Sequence, residues 1–159
     1  MLLPVNMHGA RYFFEVDTGA TRLCFDRSLR PMLGMVRESE TIGTLGGPLR
    51  CELFEAPDAL LGPLHLRLPP PGVTPLVACL DQEHRRLGSG HDVRGIIGTN
   101  FLRRHVVRID FDRGKLSFLK AVGKEPGRPV PILFDEGKRE VQARLPGMGD
   151  SMFLIDTGL

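Results

Sequence analysis

An internal repeat constrains this chain more than any other feature of its sequence. The apolar segment that leads into Asp17-Thr18-Gly19-Ala20 has a counterpart 139 residues later, where a second apolar segment leads into Asp156-Thr157-Gly158-Leu159. A strand that recurs together with its terminal motif indicates a repeated structural unit. We therefore expect one lobe over residues 1–120, a linker over 121–131, and the first strands of a second, incomplete lobe over 132–159.

Composition and turn residues favour an all-β fold. Glycine (19) and proline (13) make up about a fifth of the 159 residues, and long helical patterns are few. Such a chain is typical of short strands joined by turns. Apolar periodicity predicts strands at 10–17, 64–68, 73–80, 106–111, 115–119, 130–134, 140–145 and 152–155, with a hairpin over 41–54. A short helix is predicted after Gly98, with Thr99 or Asn100 as its N-cap, and a surface loop over 82–94.

Charge and hydropathy disfavour several classes of partner. The formal charge is only +2 and the arginines are scattered, which is unlike a nucleic-acid-binding surface. No apolar run approaches the roughly 18 residues of a membrane-spanning helix. The start lacks the pattern of a signal peptide, so a cytoplasmic location is the default expectation, and export stays open if the N-terminus is incomplete. Cys24, Cys51 and Cys79 lack zinc-site spacing and are expected to be buried thiols.

Asp-Thr-Gly at the end of an apolar strand suits a carboxylate that performs acid–base chemistry. The strand would carry Asp17 into a partly water-excluded position, and Gly19 would let backbone N–H groups approach the carboxylate. The hydroxyl of Thr18 could hold this loop against a related one. Two such loops would bring two carboxylates together, and like charges so close share one proton. One member could then activate a water while the other polarises a carbonyl.

A second motif makes this pattern more specific. Residues 95–102 read Gly-Ile-Ile-Gly-Thr-Asn-Phe-Leu, an apolar pair that enters Gly98. Together with the strand that ends in Asp17-Thr18-Gly19-Ala20, this segment makes the chain similar to the retropepsin-like and pepsin-like aspartic proteases. The hairpin over 108–118 also resembles the end of a lobe in bacterial members. The resemblance covers about residues 5–120 in order and spacing.

The resemblance implies a closed, mostly antiparallel β-barrel lobe that binds an extended polypeptide substrate. It implies hydrolysis of peptide bonds by a water activated between Asp17 and a second aspartate, for which Asp156 of the repeat is the candidate in this chain, with no metal and no cofactor. The residues that it implies as supports are Thr18, Gly19, Ala20, Ile97, Gly98, Thr157 and Gly158. It also implies a flap over the cleft, formed by the hairpin and carrying Thr44, Leu45, Gly46 and Gly47 near its tip.

The source of the second carboxylate stays open at this level. Asp156 carries the motif, but no second Ile-Ile-Gly segment or flap follows it, so we do not expect its strand to hold it firmly. The alternatives are a missing second lobe, or Asp17 of another copy in a homodimer with a shared site on the two-fold axis. The pepsin-type flap tyrosine also has no equivalent, because Tyr12 lies in the first strand.

Two other functions compete with proteolysis. The first is a non-catalytic module of the same fold that binds peptides or dimerises. The second is a phosphate-binding loop of the actin and sugar-kinase type, whose Asp-x-Gly-x-Thr pattern residues 17–21 fit loosely. That fold needs a longer chain and a second glycine-rich loop, so the sequence disfavours it.

Overall fold

The computed structural model describes residues 1–44, 47–55, 57–66, 76–80, 90–124, 128–135 and 138–158. These residues are mostly in β-strands, and one short α-helix, Thr99–Leu102, follows Gly98. The predicted all-β fold with a short helix at this position is confirmed. An unpredicted 3-10 helix spans Arg27–Met32. No helix in the described ranges is long and apolar enough to cross a membrane.

The strands of the described residues form three sheets. Nine strands make the large sheet, which contains β1 (Leu2–Met7), β2 (Ala10–Val16), β3 (Cys24–Asp26), β4 (Val36–Thr44), β5 (Gly47–Phe54), β6 (Ala59–Leu61), β7 (Leu64–His65), β8 (Leu76–Leu80) and β9 (Val93–Ile97). A two-stranded sheet contains β10 (Val106–Asp110) and β11 (Lys115–Leu119), and a three-stranded sheet contains β12 (Leu133–Asp135), β13 (Lys138–Leu145) and β14 (Gly149–Leu154).

The large sheet has the strand order β4-β5-β8-β3-β9-β2-β1-β6-β7 and curls into a half-barrel. Most neighbours are antiparallel, as expected, but β2 pairs in parallel with β9, and β3 in parallel with β8. In the β2–β9 pair, Val16 lies opposite Ile97. Because parallel strands end at the same edge, this register brings Asp17 and Gly98 together.

The hydrophobic core is built largely from side chains of this sheet, of the 3-10 helix and of the α-helix. Phe14 and Val16 of β2 are fully buried, and the ring of Phe14 meets that of Phe25 edge-on at a centroid distance of 5.1 Å. Leu23, Ile97 and Phe101 join the same cluster. Burial of each such side chain stabilises the fold by about 1.5–3 kcal/mol, so the core fixes the end of β2.

Several element boundaries differ from the sequence-based expectations. β1, β3 and β6 were not predicted, the hairpin begins at Val36, and the expected loop 82–94 ends early because β9 begins at Val93. β1 contains Pro4, and a proline within a segment argues against predicting that segment as a strand. The proline is tolerated because β1 pairs with β6 only from Val5 to Met7, so the second edge of β1 is unpaired at Pro4. Residues 67–75 and 81–89 lie outside the described residues, so the predicted strands 64–68 and 73–80 are described only at 64–66 and 76–80, and the predicted loop 82–94 only at 90–94.

The β13–β14 hairpin repeats the β1–β2 hairpin in register. Leu2 lies opposite Glu15 in the first hairpin, and Glu140 lies opposite Leu154 in the second. Beyond the last pair, Val16 N–H donates to the Met1 carbonyl at 2.8 Å, and Ile155 N–H donates to the Arg139 carbonyl at 2.9 Å. The repeat of the sequence is therefore also a repeat of backbone hydrogen bonding.

Gly95 leads to a stability prediction. A Cβ atom on Gly95 would overlap the ring of Phe14, whereas a Cβ on Gly43, in the exposed part of β4, would meet no atom within 4 Å. We expect Gly95→Ala to lower the free energy of unfolding by about 1–3 kcal/mol, the usual cost of overpacking, and Gly43→Ala to have little effect. Urea unfolding of both variants tests this, and equal midpoints would contradict it.

Candidate active site

Asp17 lies one residue beyond β2, in a loop that turns sharply around its carboxylate. Its backbone N–H donates to the Ile97 carbonyl at 3.3 Å, which continues the β2–β9 pairing. Its Oδ1 atom accepts hydrogen bonds from the backbone N–H groups of Gly19 at 2.7 Å and Ala20 at 2.9 Å. We call residues 17–22 the Asp17 loop. Asp17 is half-buried there.

Asp156 occupies a second loop of the same local form, residues 156–158, which we call the Asp156 loop. Its Oδ1 atom accepts a hydrogen bond from Gly158 N–H at 2.8 Å, matching the bond from Gly19 to Asp17. Asp156 differs from Asp17 in being exposed.

The two loops are joined by reciprocal hydrogen bonds of their threonines. The Thr18 hydroxyl donates to the Ile155 carbonyl at 2.7 Å and accepts from Thr157 N–H at 3.0 Å. The Thr157 hydroxyl likewise donates to the Val16 carbonyl at 3.0 Å and accepts from Thr18 N–H at 3.2 Å. Each hydroxyl therefore uses its donor and its acceptor on the other loop, which relates the loops by an approximate two-fold axis.

The carboxylates face each other across this axis. A Cβ atom on Gly19 would lie 2.5 Å from Asp156 Oδ2, and a Cβ on Gly158 would lie 2.6 Å from Asp17 Cγ. Each carboxylate thus lies in the space that the absent side chain of the opposite glycine leaves free. The third position of the motif is glycine because the opposing acid fills that space.

The surroundings of Asp17 favour its protonated form. Burial raises the pKa of Asp17 above its ordinary value. The Ala20 and Gly19 amides oppose this rise, while the charge of Asp156 and a hydrogen bond with that side chain raise the pKa further. The net direction is upward, so the pair is suited to sharing a proton.

The Ile97-Gly98 segment supports the Asp17 loop from behind. A Cβ on Gly98 would overlap the carbonyl oxygen of Arg22, so only glycine allows this approach. After Gly98, the N–H and the hydroxyl of Thr99 both donate to the Ala20 carbonyl, at 2.9 and 2.8 Å. The predicted N-cap role of Thr99 or Asn100 is wrong: Gly98 is the N-cap, and its cap carries no side-chain hydrogen bond. Thr99 instead stabilises the Asp17 loop.

The predicted flap corresponds to the β4–β5 hairpin. Near its tip, the Thr44 hydroxyl donates to the Gly47 carbonyl at 2.7 Å. Leu45 and Gly46, also predicted at the tip, lie outside the described residues. At its base, Cys51 and Leu53 form a small apolar cluster with Cys24 and Ile96, against which Ala20 of the Asp17 loop packs. The hairpin therefore contacts the Asp17 loop through its base.

Comparison with known families agrees with this geometry. The sequence model of a family described as aspartyl protease matches residues 3–101, which is more than half of the chain. The chain belongs to the aspartyl protease family. No curated protein matches it at a significant level. The match to the aspartyl proteases includes Asp17 and the Ile97-Gly98 segment, whereas Asp156 lies outside the matched range.

The position of Asp156 in this member of the aspartyl protease family differs from the sequence-based expectation. The sequence led us to expect that Asp156, so near the end of the chain, would not be held in an ordered geometry. The structure instead places it opposite Asp17 through four hydrogen bonds, each of which involves Thr18 or Thr157. The repeat aligns the two threonines, so the sequence did carry a signal for this contact. Only the folded structure, however, shows that the two loops of one chain pair with each other.

The threonine hydrogen bonds lead to a prediction about stability. Thr18→Val keeps the shape of the side chain but leaves the Ile155 carbonyl and the Thr157 N–H without their partner. We expect a loss of about 1–3 kcal/mol in the free energy of unfolding, since unsatisfied polar groups are costly. Thr18→Ser should retain most of the stability, and Thr41→Val, on the exposed surface of β4, is the matched control. Thr18→Val as stable as the wild type would contradict the interpretation.

Proposed function

We propose that this chain is the catalytic part of an aspartic endopeptidase that hydrolyses peptide bonds with a water activated between Asp17 and Asp156. The observation that carries the proposal is the face-to-face placement of the two carboxylates. The reciprocal threonine hydrogen bonds support it, because they hold both acids in related positions. Membership of the aspartyl protease family supports the reaction class.

The different surroundings of the two acids suggest a different catalytic role for each. Asp17, whose pKa burial raises, holds the shared proton and donates a hydrogen bond to the scissile carbonyl. Asp156, more open to water, accepts a proton from the attacking water. The water oxygen bonds to the carbonyl carbon while the carbonyl oxygen takes the proton of Asp17, which gives a gem-diol. Asp156 then transfers its proton to the amide nitrogen, the C–N bond breaks to release the amine, and one hydroxyl of the diol returns its proton to Asp17 as the carboxylic acid forms. The dyad ends with one shared proton, as it began.

We also propose that β12–β14 are the first strands of a second lobe, joined to the lobe of residues 1–120 by the linker 121–131. In the first lobe, β2 lies between β1 and β9. In the described residues, the equivalent β14 pairs with β13 alone, and several apolar side chains of this sheet are exposed: Leu133, Phe134, Leu145, Met152 and Leu154. Further strands, from the same chain or from a second copy, would bury them.

The same exposure keeps a second candidate function open. A non-catalytic module of this fold would use its incomplete sheet to bind a peptide or another copy, and Asp156 would remain solvated. The two candidates differ in one respect that can be measured: only the peptidase requires both carboxylates for peptide-bond cleavage.

The peptidase proposal predicts cleavage of an unfolded protein such as casein between pH 3 and 8. We expect Asp17→Asn and Asp156→Asn each to reduce the rate by at least about 10²- to 10⁴-fold, the usual contribution of general acid–base catalysis. Asp112→Asn, in the exposed turn after β10, is the matched control and should retain activity. A pepstatin-type inhibitor should abolish the wild-type activity.

Sedimentation of the same samples distinguishes the sources of the second acid. Activity in a monomer that requires Asp156 supports pairing within one chain. Activity only in a dimer, unaffected by Asp156→Asn, would instead indicate that two copies of Asp17 form the dyad. An inactive wild-type protein at every pH would contradict the peptidase proposal for this chain and favour the binding module.

The raised pKa of Asp17 also predicts how the stability of the protein depends on pH. Because the pKa of Asp17 is raised in the folded state, the folded protein binds the proton more tightly than the unfolded chain. The contribution of Asp17 to the free energy of unfolding is therefore fully present below the ordinary pKa of 3.8. It is lost as the pH rises through the raised pKa of the folded protein. We expect Asp17→Asn to raise Tm at neutral pH, with a difference that shrinks towards pH 3. A pH-independent difference would contradict the raised pKa.

A further inference from the structure

Arg22, the last residue of the Asp17 loop, connects this loop to the predicted flap. Its carbonyl oxygen lies against Gly98, which fixes its backbone. Its side chain crosses to β4, where Nη2 lies 3.0 Å from Oε1 of Glu40. About a third of each side chain is exposed, 33% for Arg22 and 31% for Glu40. The pair is thus only partly screened by solvent.

Glu40 lies on the face of the β4–β5 hairpin that turns towards the Asp17 loop. It is directly opposite Cys51, and Ile42 is opposite Leu49, so these four side chains share one face. Cys51, Ile42 and Leu49 belong to the apolar cluster that also contains Ala20. The carboxylate of Glu40 is therefore placed in an apolar surface, where an uncompensated charge is costly.

The burial of Glu40 makes the arginine necessary. Its Oε1 atom is inaccessible to solvent and has no hydrogen bond of normal geometry in the described part of the chain. The guanidinium of Arg22 lies at ion-pair distance from this same atom. Arg22 therefore supplies the charge that offsets the burial of Glu40 when the hairpin lies against the Asp17 loop.

We propose that the Arg22–Glu40 ion pair positions the β4–β5 hairpin over the dyad, so that Arg22 and Glu40 are positioning residues for substrate binding. The inference rests on the proposed peptidase function, in which the hairpin covers the bound peptide. Arg22 lies five residues after Asp17 in the same loop, so the pair links the position of the hairpin directly to the loop that carries the acid. Loss of the pair frees the hairpin to open and weakens the binding of substrate, while the chemistry of the dyad is retained.

A second ion pair on the same hairpin provides a matched control. Arg30 of the 3-10 helix binds Glu52 of β5 at 2.9 Å. Glu52 is adjacent to the buried Cys51 and Leu53, so it points to the opposite face of the hairpin. This pair joins the hairpin to a different part of the molecule and does not involve the Asp17 loop.

The test compares steady-state kinetics of single and double variants with a peptide substrate. We expect Arg22→Ala and Glu40→Arg each to raise KM about two- to fivefold, the upper part of the range for an exposed ion pair, with a smaller change in kcat. The double variant Arg22→Glu with Glu40→Arg should recover most of the wild-type KM. Arg30→Ala should change KM less than about twofold. Equal effects of Arg22→Ala and Arg30→Ala, or no recovery in the double variant, would overturn the proposal.

Amide hydrogen exchange separates a failure of this inference from a failure of the peptidase function. We expect Arg22→Ala to speed exchange across residues 36–44 and 47–55 at least threefold more than Arg30→Ala does, also in an Asp17→Asn background that cannot cleave substrate. If the wild type proves inactive but exchange responds in this way, the pair still positions the hairpin and only the peptidase proposal fails. Unchanged exchange in these ranges would overturn the inference whether or not the protein is active.

Discussion

The geometry of the site depends on the reciprocal hydrogen bonds of Thr18 and Thr157. Each hydroxyl binds the carbonyl that precedes the opposite aspartate and the N–H that follows it. A hydroxyl is the smallest group that can donate and accept at once, so one residue type at one position satisfies both sides of a two-fold contact. The facing carboxylates follow from it, because each aspartate immediately precedes its threonine.

The second requirement of the site is that other groups approach the backbone closely, and glycines at several positions make this possible. Gly19 and Gly158 leave room for the opposing acids, and Gly98 leaves room for the Arg22 carbonyl. One layer further out, Gly95 leaves room for the ring of Phe14 within the parallel β2–β9 pair. Of these four glycines, only Gly98 packs against main chain, and the other three pack against side chains. Together they allow both carboxylates, the ring of Phe14 and the Arg22 carbonyl to lie directly against backbone.

Sequence alone could predict the parts of this arrangement that are contiguous in the chain. The Asp17 and Asp156 motifs, the Ile97-Gly98 segment and the all-β class follow from short patterns. β1 and β6 were missed because a proline and a short length hide their periodicity. Thr99 was assigned to a helix cap because its hydroxyl partner, the Ala20 carbonyl, is 79 residues away. The Arg22–Glu40 pair could not be predicted, because it depends on the register of β4 and β5, which the composition of the turn does not determine.

Comparison of the two Asp-Thr-Gly loops shows which properties of the site depend on the local sequence and which depend on the surrounding lobe. Their conformations match, and so do the hydrogen bonds of the hairpins that carry them. Their environments do not: Phe14 is fully buried beside β9, whereas its counterpart Phe153 is only partly buried. Asp17 is accordingly half-buried and Asp156 exposed. Loop geometry thus arises from the motif and its threonine partner, while the exposure of each carboxylate to water is set by how much of a lobe surrounds it.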